Sequence, residues 1–441
     1  KMNITRENID ELNAVVKVDI AKEDYAEKVD KILKDYRKNA NIPGFRKGHV
    51  PMGMVKKQYG QAVLVDEVNK LLQDALNKYL TEEKLDVLGN PLPKEQENFD
   101  WNKDDYSFEF ELGLSPDFKV DLDLKKPVTK YNIVADDKMV KNQIESIQKQ
   151  YGKLKTKEVV EEGNTVAGTF KNEDEAIENE TTFELGKIKG KRNLNKFLGA
   201  KVGDTISLKT KSLFEDDQDL VNHLKVEQDK AKDLDIEVDF TISEINEREL
   251  ADLDQELFDK MFGKDQVKTA TELKEKIKED AAKQFQQQSD QQLMNDITEA
   301  LIEATDFKLP KEFLQKWIQT VGEKPLSFEE AQEEYEKSEK GLRYQLIEGK
   351  IINENGLEVK FEDLKSFTTD KIKQQMAQFG QTDPSEKELD DIAARILSNQ
   401  DEVKRLSEQL MSEKLLNFYK ENMKFEEKEV TYEDFVKEIY K

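Results

Sequence analysis

The sequence predicts a multidomain α+β protein in which a mixed, a β-rich and an all-helical segment follow one another. Residues 1–116 alternate between strand and helix patterns, because apolar residues recur first at every second position and then at every third or fourth. Residues 157–248 contain short apolar runs separated by glycines, which is typical of a small β domain. Residues 249–441 carry helix-start signals and long helical stripes.

Composition limits the classes of function. The 441-residue chain has no cysteine, which excludes disulfides and thiolate metal sites, and its formal net charge is −25. Such an acidic balance argues against general nucleic-acid binding, so any contact with an anionic partner has to be local. We expect no signal peptide, since the first residues lack an apolar segment, and no membrane span, since no apolar run approaches about 20 residues.

The N-terminal segment is predicted to fold from strands at its two ends and helices between them. Residues 12–20 alternate as a strand, and a helix with an apolar face from Tyr25 to Tyr36 follows. A second helix is predicted to have Pro51 at its first position. Residues 88–93 are predicted to form turns, and residues 106–112 alternate as the closing strand.

Residues 41–60 differ from the rest of the chain in charge. They include four Lys or Arg and no Asp or Glu. Phe45, Arg46 and Lys47 lie between two glycines, so an aromatic side chain and two cations are predicted at a loop tip. Such a tip suits docking, because cations and an aromatic anchor are common interface hot spots. The alternative is a solvated turn with an incidental Phe.

An arm is predicted between the first and the middle domain. Residues 117–134 look extended, and a helix follows with an apolar face from Val140 to Leu154. Because the arm has no Gly/Ser run, we expect it to be structured. The middle segment is predicted to contain four strands, at residues 165–170, 182–185, 205–213 and 236–242.

The last segment is predicted to be helical throughout. Thr269–Glu272 and Ser327–Glu330 match the capping box, in which a hydroxyl and a carboxylate satisfy free N–H groups. Asp383 is expected to cap a helix whose first residue is Pro384, and Thr431 to cap a last short helix. Apolar stripes predict two long helices, over residues 273–301 and 406–418.

The motif GFRKGHVPMGMVKKQYG follows a predicted strand and helix and precedes a long helix, and it resembles the ribosome-binding signature of the bacterial trigger factor family. The resemblance covers the whole chain. Supporting stretches are Glu247–Leu250 with the following Leu257, Phe258 and Phe262–Gly263, then Phe307–Pro310 and Lys428–Tyr432. The resemblance implies four parts: a ribosome-binding domain (1–116), a linker and helix that pack with the C-terminal domain (117–156), an FKBP-like isomerase-type domain (157–248), and an elongated helical chaperone domain with arms (249–441).

The function implied by the resemblance is that of an ATP-independent chaperone that shields nascent polypeptides during folding and export. The implied docking residues for the large ribosomal subunit near the exit tunnel are Gly44, Phe45, Arg46, Lys47 and Gly48. The implied partners are the ribosome, unfolded chains and, off the ribosome, a weakly bound second copy, with ribosomal RNA as the only nucleic acid. The family is cytoplasmic, and we expect no cofactor and no metal.

The middle segment departs from the isomerase pattern of the family. Competent members have an aromatic pocket for the proline ring, an acid on an early strand, and a Pro-Gly-Phe segment before a glycine-rich turn. Here residues 189–197 lack Pro-Gly-Phe, Thr169 stands where the acid belongs, and Val238 where an aromatic is usual. Phe170 and Phe183 are candidates for a vestigial pocket and equally for core positions. We therefore expect little or no isomerase activity.

Client contacts have the weakest sequence signal. Apolar residues of the helical segment are candidates for holding unfolded chains or else for core between helices: Met294, Phe313, Trp317, Phe367, Met376 and Phe379. His49 and His223 are the only histidines, expected in the docking loop and in a polar loop. Two alternatives stay open, a prolyl isomerase acting on unfolded chains and a holdase that works without the ribosome.

Overall fold

The computed structural model describes residues 2–441. The chain forms two compact units, one of Lys1–Lys130 with Gln292–Glu426 and one of Tyr131–Gln291 with Glu427–Lys441. Among the helices of the described residues, none combines the length and apolarity needed to span a bilayer.

The N-terminal part of the first unit is a four-stranded antiparallel sheet with two helices. The strand order is β1-β2-β4-β3. One face of β2 is buried because Ala14, Val16, Val18 and Ile20 alternate with mostly polar residues, and α2 packs on the same core. The elements are β1 (Asn3–Asn8), β2 (Asn13–Ile20), α1 (Lys22–Asn39), α2 (Met52–Glu82), β3 (Val87–Pro93) and β4 (Tyr106–Leu114).

The second unit contains the middle β domain. Its sheet has the order β6-β10-β7-β8, and β9 also pairs with the long strand β10. The elements are β5 (Val128–Val134), α3 (Asp137–Gln150), β6 (Lys153–Thr156), β7 (Thr165–Asn172), β8 (Ile177–Glu184), α4 (Lys191–Phe197), β9 (Thr205–Lys209), α5 (Asp217–Leu224), α6 (Gln228–Ala231) and β10 (Glu237–Glu249).

The rest of the chain is helical except for one strand, β11, which pairs with β5. The elements are α7 (Gln255–Phe262), α8 (Ala270–Ala304), α9 (Lys311–Val321), α10 (Phe328–Asn355), α11 (Phe361–Gln378), α12 (Glu386–Leu397), α13 (Gln400–Asn422), β11 (Phe425–Thr431) and α14 (Tyr432–Ile439). The two predicted long helices are confirmed as α8 and α13. In the first unit, α9, α10 and the C-terminal halves of α8 and α13 share one apolar core, which we call the helical body.

Four strands, β1, β3, β6 and β11, were not predicted. β1 is polar and mostly exposed, so its sequence carries no strand signal, and it forms because every residue pairs with β2. Residues 88–93 are strand β3 rather than turns, which corrects the prediction. Gly89 and Pro91 lie at an irregularity between Leu88 and Leu92, where β3 loses register with β4.

Several predicted boundaries also need correction. The helix predicted to extend to Leu154 ends at Gln150, and Tyr151 and Leu154 are exposed. Tyr36 is exposed as well, although it was predicted on the buried face of α1. Pro51 is the N-cap of α2 rather than its first helical residue.

Two of the four helix caps predicted in the last segment are as predicted. The capping box of Ser327 and Glu330 and the cap at Thr431 are confirmed. At α8, Thr269 accepts from Glu272 N, but the Glu272 carboxylate accepts from Lys268 N, so the predicted box is shifted by one residue. Asp383 does not cap α12. Ser385 does, since its hydroxyl accepts from Glu388 N.

Candidate functional site

The basic loop between α1 and α2 consists of two consecutive turns. Phe45 N donates to Ile42 O at 3.1 Å, and His49 N donates to Arg46 O at 2.9 Å. The third residue of each turn is a glycine with a left-handed φ, +89° at Gly44 and +82° at Gly48. A positive φ at that position is the signature of a type II turn and selects glycine. The two turns therefore meet at Phe45 and Arg46.

The loop is anchored from below by a small apolar core. Ile42 and Val50, which flank the turns, are buried together with Leu33 of α1 and with Val55 and Val63 of α2. Because both ends are fixed by buried side chains, the residues between them project as a short, defined structure. We call residues 42–49 the docking loop.

Arg37 forms a hydrogen bond at the base of the loop that the sequence did not predict. Its Nε donates to Val50 O at 2.8 Å, which ties the end of α1 to the residue after the loop. An arginine in the last turn of a helix ordinarily indicates a favourable interaction with the helix dipole, so its sequence position gave no sign of this bond.

The cations of the docking loop are available for a partner. Phe45 is 39% exposed, and Arg46 and Lys47 are exposed too. Neither cation forms an ion pair with any part of the chain that the structure describes. Lys56 differs, because it lies 3.1 Å from Asp30. The sequence-predicted group Gly44–Gly48 is thus brought together as one exposed aromatic and cationic tip.

The predicted client residues divide by burial. Phe313 and Phe367 are buried, Met294, Trp317 and Met376 are half-buried, and Phe379 is 83% exposed. Phe313, Trp317 and Met294 pack in or against the helical body, and Phe367 belongs to a core between α11 and α13. Phe361 and Phe328 are exposed at helix starts and were not predicted. Only an exposed side chain is available to a client without a change in packing.

The middle domain has a core of phenylalanines. Phe170 and Phe183 are stacked with ring centroids 5.9 Å apart, and Phe240 lies 4.6 Å from Phe170. Phe197 and Phe214 pack edge-on against Phe183. All five rings are buried. Phe170 and Phe183 are therefore core residues here, and a proline ring would have to displace other aromatic rings to reach them.

His223 lies in helix α5, not in the polar loop that was predicted. Thr181 Oγ1 is 2.7 Å from its Nδ1, Asp219 Oδ1 is 3.7 Å from its Nε2, and the ring packs on Phe183 and Phe214. Burial lowers its pKa. Asp219 opposes this shift, and Lys187 and Lys225 add to it. His49 is exposed in the docking loop, far along the chain from His223.

No acid–base or metal centre stands out in residues 2–441. Within that range, no group of three or more His, Cys, Asp or Glu residues is arranged to hold a metal ion. The arrangement of the docking loop supports recognition of an anionic or apolar surface rather than a chemical step.

Comparison with known proteins gives three matches to family models in successive segments. The model "Bacterial trigger factor protein (TF)" matches residues 2–147. "Probable trigger factor, FKBP-like domain" matches residues 154–250, and "Probable trigger factor, C-terminal domain" matches residues 289–439. All three models describe parts of one protein, and they occur in the order that the sequence resemblance implied.

Curated relatives match over most of their length. The chain is 28% identical over 336 residues to the trigger factor of Nitratiruptor sp., covering 72% of this chain and 73% of that protein. It is 26% identical over 387 residues to the trigger factor of Chlorobaculum tepidum, covering 83% and 85%. For the trigger factor of Clostridium botulinum the identity is 26% over 413 residues, with 87% and 91% covered.

A solved structure has the same fold. It is described as "Promiscuous Substrate Recognition in Folding and Assembly Activities of the Trigger Factor Chaperone". The TM-score is 0.51 and the identity 17%, and the match covers 96% of this chain and 100% of that chain. With the family models in order along the sequence and the relatives matched over most of their length, the chain belongs to the bacterial trigger factor family.

Proposed function

We propose how the chain performs the ribosome-associated chaperone function of its family. The docking loop binds the large ribosomal subunit near the exit tunnel, and the helical segment receives the emerging polypeptide. No nucleotide is needed, because many weak apolar contacts hold the client and simple dissociation releases it. A role at the tunnel exit implies a cytoplasmic location.

The observation that carries this proposal is the isolation of positive charge at an ordered tip. Two exposed cations without ion pairs directly follow an exposed phenylalanine, in a chain whose net charge is −25. Ribosomal RNA repels the acidic remainder of the chain, so the docking loop determines which surface of the chain approaches the ribosome. Arg46 and Lys47 then contact phosphates or an acidic protein surface, while Phe45 enters an apolar pocket.

The proposed division of labour follows the domains that the sequence predicts. Residues 1–116 dock, residues 117–156 link, residues 157–248 form the FKBP-like part, and residues 249–441 hold clients. Of the predicted client residues, Met376 and Phe379 at the end of α11 are the pair we assign to client contact, since Phe379 is exposed and Met is adaptable. A weak homodimer off the ribosome is part of the same proposal.

The test replaces Phe45, Arg46 and Lys47 together by Ala and measures co-sedimentation with ribosomes. We expect binding to be lost, because both the aromatic anchor and the unpaired cations are removed. The far-ultraviolet circular dichroism should not change, since all three side chains are exposed.

A matched control removes one exposed phenylalanine and two exposed lysines elsewhere, with Phe361, Lys373 and Lys387 replaced by Ala. This variant changes the net charge by the same amount and should still co-sediment. Unchanged co-sedimentation of the docking-loop variant would instead favour a holdase that works without the ribosome.

The middle domain is proposed to have little isomerase activity. Catalysis of prolyl isomerisation requires a dry pocket that favours the twisted amide over the ground state. Here the candidate pocket residues Phe170 and Phe183 are packed against other rings. A peptide assay of cis-to-trans proline conversion checks this. Turnover comparable to that of a competent FKBP would identify the chain as a prolyl isomerase.

A further inference from the structure

The N-terminal sheet packs on helix α9 of the helical body through two glycines. Gly89 in β3 faces the Trp317 ring, and a Cβ placed there would lie 2.9 Å from Cδ2 of that ring. Gly113 in β4 faces the Phe313 ring, and a Cβ there would lie 2.7 Å from Cε1. Any side chain at either glycine would collide with an aromatic ring, so ring and backbone are in direct contact.

Apolar and ionic contacts surround the two rings. Leu88 of β3 is buried in the core of the helical body, and Leu92 packs against the same core. On the rim, Lys316 Nζ lies 3.3 Å from Glu111 Oε1. The sheet and α9 therefore share a core instead of touching at a polar surface, which is typical of a fixed contact.

The segment that leaves the sheet is fastened to the same helical body. The Phe118 ring stacks on Phe307 at 4.2 Å and 14°. Arg343 lies over the Phe307 ring at 5.1 Å, and Lys350 over the Phe118 ring at 5.3 Å. Each of the two stacked rings thus also contacts a cation, and such cation–π contacts are stabilising. Asp117 adds an ion pair with Lys350 at 3.3 Å.

Helix α2 connects these contacts to the docking loop. It has 31 residues, about 46 Å at 1.5 Å per residue. Val55 and Val63 near its start belong to the core under the loop, while Leu72 and Leu76 belong to the core of the sheet. The path from docking loop to α9 therefore runs through packed cores at every step.

We propose that Phe313 and Trp317 are positioning residues that hold the N-terminal sheet and its two helices, here called the docking domain (residues 2–116), rigidly on the helical body. They fix the helical body in one orientation once the loop is bound to the ribosome. This inference rests on the proposed function. It assigns both residues a role other than client contact, since the docking domain covers them.

The first measurement needs no ribosome. The chain has no cysteine, so single cysteines at the exposed positions Gln73 in α2 and Glu336 in α10 can carry spin labels in the full-length protein. Dipolar spectroscopy should give a narrow distance distribution. Gly113→Ala should widen it, because the new Cβ displaces the Phe313 ring. The double variant Gly113→Ala with Phe313→Leu should narrow it again.

Two further variants keep the test valid if Gly113→Ala folds poorly. Trp317→Phe retains a ring against Gly89 and should leave the distribution narrow, whereas Trp317→Ala should widen it. Gly341→Ala in α10 is the matched control, since nothing lies within 4 Å of its added Cβ. An unchanged distribution in both Gly113→Ala and Trp317→Ala would overturn the proposal.

The second measurement asks whether the joint matters for function. Gly113→Ala should co-sediment with ribosomes as the parent does, yet protect a nascent client from aggregation severalfold less well, and Phe313→Leu should restore protection. Suppression of aggregation without ribosomes should be unchanged. A widened distance distribution together with full protection on the ribosome would refute the positioning role.

Failure of the unsubstituted protein to co-sediment with ribosomes would refute the proposed function and with it this role. The spin-label distances would still show whether the N-terminal sheet is held rigidly on the helical body.

Discussion

At the scale of single residues, glycine acts in two different ways in this chain. Gly44 and Gly48 supply the left-handed φ that two consecutive turns require. Gly89 and Gly113 supply space, since aromatic rings occupy the positions where side chains would be. The first role was indicated in the sequence, because the two glycines bound the predicted loop tip. The second was not, because the rings come from a helix some two hundred residues away in the sequence.

Replacing Gly48 by Ala should weaken ribosome binding. Forcing an L side chain into the left-handed region costs about 1–2 kcal/mol. That cost corresponds to roughly a 5–30-fold drop in affinity if the loop has to keep its shape to bind. Gly53→Ala is the control, because Gly53 is helical and has nothing within 4 Å of the added Cβ. Equal co-sedimentation of the two variants would contradict the prediction.

His223 should make the middle domain less stable in acid. Burial lowers its folded pKa below the ordinary 6.5, so the unfolded state takes up the proton first. Its contribution to stability is therefore complete above about pH 6.5 and is lost as the pH falls through the lowered folded pKa. Imidazole resonances in a proton NMR titration check the direction. His223→Gln should remove both the low-titrating resonance and its part of the acid destabilisation.

At the scale of elements, helix starts depend on which oxygen reaches the free N–H groups. At α10 Ser327 Oγ accepts from Glu330 N at 3.1 Å, and Glu330 Oε2 accepts from Ser327 N at 2.9 Å. At α12 the cap was predicted at Asp383, but the helix starts two residues later than predicted and Ser385 is placed directly before it. Local sequence thus indicates that a helix starts but leaves its first residue uncertain by a turn.

Ser327→Ala should destabilise α10 by about 1 kcal/mol, because it removes the hydroxyl half of a capping box. Chemical denaturation of the full chain, followed by circular dichroism, measures the change. Ser338→Ala is the matched control on the same helix. Its hydroxyl only donates back to carbonyl oxygens of the preceding turn, Glu334 O and Tyr335 O, so its loss should be nearly neutral. Equal effects of the two variants would mean that the cap contributes nothing.

At the scale of the whole molecule, charge is divided unevenly. The chain has 95 acidic and 70 basic Lys or Arg residues, and the docking loop runs against this balance. The affinity for the ribosome should therefore fall as the salt concentration rises. Because only the two unpaired cations of the docking loop contact phosphates, the fall should be no more than roughly tenfold for a fourfold rise in salt. Replacing Arg46 and Lys47 by Gln should flatten this dependence. A slope that is equally steep in that variant would place the electrostatic contact elsewhere.

Much of the fold followed from local pattern. Alternation predicted β2, β4 and β10, helical stripes predicted α8 and α13, and the basic motif predicted the exposed tip of the docking loop. The polar strand β1 and the glycine- and proline-containing strand β3 did not follow, since both depend on hydrogen bonds from a neighbouring strand rather than on their own side chains.

The sequence by itself determined the order of the domains, the amphipathic elements and the docking loop, because turn chemistry and periodicity act within a few residues. Only the tertiary structure decided which apolar residues are covered and by what. Phe313, Phe170 and Phe379 look alike in the sequence. The first packs under the N-terminal sheet, the second lies in an aromatic core and the third is exposed. Exposure of any apolar side chain to water is unfavourable, but the residues that cover it come from distant parts of the chain, so local sequence does not identify them.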